Sequence, residues 1–285
     1  MIWLIGNRGM LGTEVEALLR QNKMPYLASD KEVDITNKDQ LQYFVSDRPL
    51  SWIINCSAYT AVDKAEDEPE LAFRINADGP RNIAEIAKNK GAKLIHISTD
   101  YVFDGTKEEA YRETDNPNPL GVYGKSKYQG EVNIQKVLKK YFILRTAWLY
   151  GTNGNNFVYT MLRLFKERDE VRVVGDQIGA PTYAPDLASV ILTIISLNAD
   201  DFGIYHFSNT GKISWHDFAC EIYTTAQRKN LLNKEILIHK IKTKEYPTKA
   251  QRPQNSCLSK EKIKNTFNIP VRPWQAGLQD YFAAK

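Results

Sequence analysis

Six short apolar runs, at residues 2–5, 26–28, 52–55, 93–97, 141–145 and 171–174, alternate along this chain with stretches of helical periodicity. The helical stretches fall at 11–21, 38–46, 70–89, 124–139, 156–166 and 185–197, with Pro185 suited to a first helical turn. That rhythm builds βαβ units, and strands apolar over their whole length are buried on both faces. The chain is therefore expected to be α/β, a doubly wound parallel sheet with right-handed crossovers. After about residue 200 the rhythm loosens into 203–208, 215–225 and 236–241 and then proline-interrupted sequence, read as a smaller C-terminal lobe.

The segment Gly6-Asn7-Arg8-Gly9-Met10-Leu11-Gly12 follows the first strand directly and opens the first helix. Glycines there permit a tight turn and close backbone approach to a pyrophosphate, which the helix N-terminus favours electrostatically. A GxxGxxG spacing alone is a weak signal, but at strand one, helix one of an alternating chain it marks a dinucleotide-binding, Rossmann-type domain. Gly6, Arg8, Gly9, Met10, Leu11 and Gly12 are the candidate loop contacts. Asp30 ends the second strand, placed to bind the adenosine ribose of NAD, while Arg8 and Lys31 would pair with the 2′-phosphate of NADP. The cofactor is expected to be NADPH or NADH. Residues 1–151 are assigned to this domain, with 168–200 returning to it, and 152–285 mainly to a substrate-binding lobe across a cleft.

Tyr123 and Lys127 stand four apart at the start of an expected helix, so both side chains emerge on one face. An ammonium there would bring the tyrosine pKa closer to neutrality and suit it to proton transfer to a carbonyl oxygen. YxxxK alone commonly decorates a helix surface. Ser98-Thr99-Asp100-Tyr101 changes that reading, because it lies past the fourth strand, at the edge where open parallel sheets bind ligands. Thr99 offers a hydroxyl to the substrate oxygen, so Tyr123, Lys127 and Thr99 are the candidate catalytic residues.

Composition narrows the setting. No apolar run among the 285 residues approaches the ~18–20 of a membrane span, and MIWLIGNRG reaches glycine too soon for a signal peptide, so a cytoplasmic location is expected. Cys56, Cys220 and Cys257 are odd in number and widely spaced, which reads as reduced thiols. A formal charge of +4 does not argue for nucleic-acid binding. Between Arg228 and Lys264, however, eleven Lys/Arg face three Glu. Most of these belong on a solvated surface, and Arg252 is the candidate for an anionic diphosphate.

With these residues assembled, the sequence resembles the extended short-chain dehydrogenase/reductases, most closely the dTDP-4-dehydrorhamnose reductase family, over essentially the whole chain. The likeness rests on the glycine loop, on residues 55–66 (NCSAYTAVDKAE), on 98–103 (STDYVF) and on 123–127 (YGKSK). Later segments at 145–148, 154–157, 176–182 (DQIGAPT) and 252–256 extend it. The resemblance implies reduction of dTDP-4-dehydro-rhamnose to dTDP-L-rhamnose for cell-surface polysaccharide. It also implies cofactor contacts from Met10, Leu11, Gly12, Asp30, Asp34, Ile35, Ala58, Tyr59, Thr60, Tyr123 and Lys127. Thr99, Asp100, Tyr101 and Trp148 would touch the sugar nucleotide. Tyr59 stands where the family commonly has histidine. Some relatives are described as Mg²⁺-bridged homodimers built on glutamates, and Glu14 lies near the expected place. Two other readings remain: a sugar-nucleotide epimerase or 4,6-dehydratase, although Tyr101 stands where a dehydratase carries glutamate, and a non-catalytic regulatory subunit of the same fold.

Overall fold

The computed structural model describes residues 1–284. The first half contains β1 (Ile2–Ile5), α1 (Met10–Gln21), β2 (Tyr26–Ser29), α2 (Lys38–Val45), β3 (Trp52–Asn55), α3 (Val62–Ala65), α4 (Pro69–Phe73), α5 (Gly79–Lys90), β4 (Lys93–Thr99) and α6 (Val122–Val137). There follow β5 (Tyr141–Thr146), β6 (Leu149–Tyr150), α7 (Phe157–Glu167), β7 (Glu170–Val174), β8 (Ile178–Gly179), β9 (Thr182–Tyr183) and α8 (Ala184–Ser196). The chain continues through β10 (Gly203–His206), β11 (Ile213–Ser214), α9 (Trp215–Arg228), β12 (Leu237–Ile241), α10 (Glu261–Phe267) and α11 (Trp274–Ala283).

Six parallel strands form the central sheet in the order β10-β5-β4-β3-β1-β2. Because strand side chains alternate, one apolar sequence fills two cores. Ile2, Leu4, Ile54 and Ile95 pack under α1 and α8, while Trp3, Ile5, Ile53 and Leu94 pack under α5 and its neighbours. Each such buried side chain stabilises by roughly 1.5–3 kcal/mol, so both helical layers are held by the strands they cover. The chain runs outward from β1 to β2 and then returns to β3 on the other side of β1. The loops leaving these strands diverge there and open a crevice at the carboxyl edge. A third core, with Phe165, Phe218, Ile222 and Tyr281, joins α7, α9 and α11 away from the sheet.

Three segments depart from the sequence reading. The run at 171–174 stays out of the central sheet: as β7 it pairs with β12, and its exposed Glu170 and Arg172 alternate with buried valines, the signature of a strand covered on one face. Gly203–His206, read as tail, is instead the sixth strand, parallel to β5. The helix expected over 70–89 is interrupted by a wide π-type turn at Arg74–Asp78, immediately before Gly79-Pro80, where proline supplies no N–H to a regular ladder. All three cysteines are unpaired. Among the described residues, no helix is long and apolar enough to cross a membrane.

Candidate active site

A cleft of about 860 Å³ opens over the carboxyl ends of the central strands, where Ile5, Thr99 and Thr146 all reach its wall. At one end, α1 begins with no side-chain cap and no acidic residue in its first turn, so its N–H groups and positive dipole end face the glycine loop unanswered. Gly6, Gly9, Met10 and Leu11 line the cleft. Gly12 lies beneath it, and a Cβ there would stand 2.0 Å from the Gly6 carbonyl oxygen, so only glycine lets the loop close onto the helix. That cradle suits a pyrophosphate.

Asp30, Lys31, Asp34, Ile35, Ala58 and Thr60 continue the same wall. The Asp30 carboxylate accepts the Arg8 N–H at 3.0 Å and the Lys31 N–H at 2.7 Å. The Arg8 guanidinium is 73% exposed and faces Glu32 at 3.6 Å. Tyr59 does not line the cleft: its hydroxyl donates to Glu68 at 2.7 Å, and its backbone N–H and C=O are both held by Asn76. Asn76 sits in the wide turn before α5 and also donates to Ser126 on α6, so the turn ties the 58–60 loop to the helix bearing Tyr123.

At the other end, Thr99, Asp100, Tyr101, Tyr123, Lys127 and Trp148 converge on one space. Thr99 caps the turn that follows β4, donating to Asp100 at 2.9 Å and accepting the Tyr101 N–H. Tyr101 and Tyr123 meet edge to face, with centroids 5.4 Å apart. The lysine does not lower the tyrosine as the spacing predicts. Burial pushes the Tyr123 phenol up to about 12, only partly offset by a hydrogen bond with Thr99, while the Lys127 ammonium donates to the Ile97 carbonyl at 2.7 Å. Burial also brings Lys127 down to about 8 and pushes Asp100 up to about 6. Near neutral pH the phenol is thus fully protonated and able to donate.

Trp148 has a positive φ of 49°, a costly conformation for a bulky residue, and its ring stacks on that of Trp215 with centroids 3.4 Å apart and planes nearly parallel at 10°. Gly179 makes room for it: a Cβ there would stand 2.4 Å from the indole. Trp215 also lines the cleft, and no periodicity in the sequence links it to Trp148. Arg252 is absent from the wall of this cleft: its guanidinium is engaged by Asp63 at 2.8 and 3.0 Å, holds that carboxyl below its ordinary range, and lines a neighbouring cavity of about 450 Å³, while its charge still acts on Tyr101. Glu14 accepts from Asn153, and among the described residues no group of three His, Cys, Asp or Glu side chains is arranged to hold a metal.

Behind the cleft, Glu131 and Arg145 form a fully buried ion pair at 2.6 Å, with His206 3.4 Å from the guanidinium. Burial first, then the Arg145 charge, depresses His206 to about 3. The unfolded chain binds that proton below pH 6.5 and the folded chain does not, so stability should fall as pH drops from about 6.5 toward 3, by roughly 2 kcal/mol at pH 5. His96, also buried and depressed, acts in the same direction; Asp100, raised, acts oppositely between 3.8 and about 6. Thermal melts of wild type and His206→Asn across pH 7 to 4 check this: the variant should show the shallower slope, and parallel slopes would contradict it.

A family model described as RmlD substrate binding domain matches residues 1–285. A dTDP-4-dehydrorhamnose reductase of Aggregatibacter actinomycetemcomitans is 44% identical over 97% of this chain and 96% of its own length. The spore coat polysaccharide biosynthesis protein SpsK of Bacillus subtilis is 37% identical over 98% and 96%. The crystal structure of a dTDP-4-dehydrorhamnose reductase from Bacillus anthracis in complex with NADP superposes with a TM-score of 0.93 at 42% identity, covering 100% and 99% of the two chains. By motif, cleft architecture and end-to-end similarity, this chain belongs to the dTDP-4-dehydrorhamnose reductase family.

Proposed function

We propose that this protein reduces the C4 keto group of dTDP-4-dehydro-rhamnose to give dTDP-L-rhamnose for surface polysaccharide, using NADPH or NADH. The observation that carries the reading is the meeting of Tyr123, Thr99 and Lys127 in the cleft whose far end is the glycine loop and bare N-terminus of α1. Gly6, Gly9, Met10, Leu11, Asp34, Ile35, Ala58 and Thr60 would hold the dinucleotide, and Asp100, Tyr101 and Trp148 the sugar nucleotide. When bound, the reduced nicotinamide supplies hydride to the carbonyl carbon.

The chain supplies the proton and the geometry. The neutral Tyr123 hydroxyl gives its proton to the carbonyl oxygen as charge develops there, Thr99 holds that oxygen in line, and Lys127 offsets the charge left on the phenolate. The high resting value for Tyr123 keeps the proton in place until the substrate oxygen becomes basic enough to take it. An epimerase returns its hydride to the sugar, whereas a net reductase consumes cofactor. Incubation with prepared dTDP-4-dehydro-rhamnose, followed at 340 nm with product identification, should therefore show stoichiometric oxidation; none with either cofactor would discard this reading.

NADPH is the expected preferred donor. Both Asp30 oxygens already accept N–H groups, and Lys31 lines the cleft beside them to meet a 2′-phosphate. Lys31→Glu should shift the ratio of kcat/KM for NADPH over NADH toward NADH by at least roughly tenfold, the value of one charge-assisted hydrogen bond. An unchanged ratio would place the 2′-phosphate elsewhere.

A further inference from the structure

The buried polar cluster behind the cleft has an uneven charge count. Lys127, Glu131 and Arg145 are 2%, 0% and 1% exposed, so two cations share one carboxylate. Lys127 and Glu131 are four apart on α6, the spacing at which lysine and glutamate side chains meet. They do not pair. Glu131 instead accepts the Ser98 hydroxyl at 2.5 Å and three Arg145 contacts at 2.6, 2.9 and 3.2 Å, while Lys127 donates to a backbone carbonyl.

Arg145 is itself fixed from behind. Its guanidinium stacks on Phe103 with 5.1 Å to the ring centroid, and the Nη1 atom faces His206 Nε2 at 3.4 Å. His206 Nδ1 lies 3.1 Å from the Tyr111 carbonyl, so the neutral ring donates from Nδ1 and accepts from Arg145 at Nε2. We propose that Arg145 is a positioning residue for Lys127: with the Ser98 hydroxyl it holds the Glu131 carboxylate away from the ammonium one turn back on α6, leaving that ammonium free to serve the cleft. This rests on the reading of Lys127 as part of the reaction site.

The other groups whose charge reaches Lys127 cannot substitute for Glu131. Cys56, beyond β3, is pushed up to about 12 by burial, and His96 on β4 is held well below its ordinary range, so both are neutral near pH 7. Among the described residues, Glu131 is then the carboxylate placed to capture the ammonium if its present partners release it.

Ligand-free protein with ¹³C-labelled lysine, titrated by NMR and assigned with Lys127→Arg, reads the ionisation of Lys127 without turnover. In Arg145→Met the midpoint should rise by about one pH unit or more, as the Glu131 carboxylate, whose charge already opposes the effect of burial on Lys127, swings closer and pairs with it. Glu131→Gln/Arg145→Met, which removes both charges, should return it to the wild-type position. Turnover should follow, falling roughly tenfold in Arg145→Met, the equivalent of one pKa unit, and recovering in the double variant. A folded Arg145→Met with an unmoved midpoint, or a double variant no better than the single, would overturn the proposal. If Arg145→Met does not fold, Ser98→Ala removes one of the two hydrogen bonds on Glu131 Oε1 while Arg145 keeps the other, loosening the carboxylate, and should give a smaller rise; no rise there overturns it too. A midpoint that moves as expected in a protein that reduces no keto sugar would instead count against the functional reading alone.

Discussion

Tyr123→Phe is expected to lower turnover by ~10²–10⁴-fold, the usual worth of a positioned general acid, with cofactor affinity essentially unchanged. The substitution keeps the ring, and with it the edge-to-face contact with Tyr101, so packing around the cleft survives while the proton and the hydroxyl's hydrogen bond with Thr99 are lost. Thr99 is hydrogen-bonded to Asp100 and cannot readily replace that proton, and Lys127 is directed to the Ile97 carbonyl. Single-turnover oxidation of NADPH, alongside a fluorescence titration of cofactor binding, separates the two effects. Retained turnover would remove Tyr123 from the chemistry; lost binding would make it a cofactor contact rather than an acid.

The second large effect belongs to Gly12. Replacement by valine puts a Cβ 2.0 Å from the Gly6 carbonyl oxygen and 2.8 Å from the Asn7 Cα, both backbone atoms that no rotamer change can clear. The loop must lift off α1, at a cost typical of overpacking, about 1–3 kcal/mol. Its N–H groups then leave the position from which they meet a diphosphate. Losing two charge-assisted hydrogen bonds at about 1.5 kcal/mol each weakens NADPH binding by roughly 100-fold. Calorimetric titration of a variant shown by circular dichroism to be folded tests this, and wild-type affinity would mean that the dinucleotide lies elsewhere.

What the sequence reveals of this site follows from how local each feature is. The glycine loop occupies one strand-turn-helix, and Tyr123 and Lys127 share one helical turn, so their neighbourhood is set by the residues between them. Thr99 is legible because a strand end in a parallel sheet has a known edge. The partner of Arg252 is not, because its pairing with Asp63 joins two segments 189 residues apart. Helical spacing places Lys127 on the face of Tyr123 but not its ammonium, which a backbone carbonyl on β4 claims. Glu131 carries a signal in its four-residue offset from Lys127; Arg145 enters only within the family-like segment 145–148, and Asn76 and Trp215 carry none, because their partners come from segments far away in sequence. The exchange between β7 and β10 has the same origin: apolar runs identify strands, while the edge each joins is decided by the helices that leave room for it.

Trp148 follows the central strand β5, whereas Trp215 begins α9 of the third core, and the two indoles lie face to face. Coupled chromophores this close share their excited states, so the pair should give a split circular dichroism band and quenched emission that Trp3, Trp52 and Trp274, each buried in a separate environment, do not. Anything that slides between the rings or parts the walls of the cleft must change that signal. The protein thus carries its own optical gauge of cleft geometry, readable without a label and on the timescale of mixing.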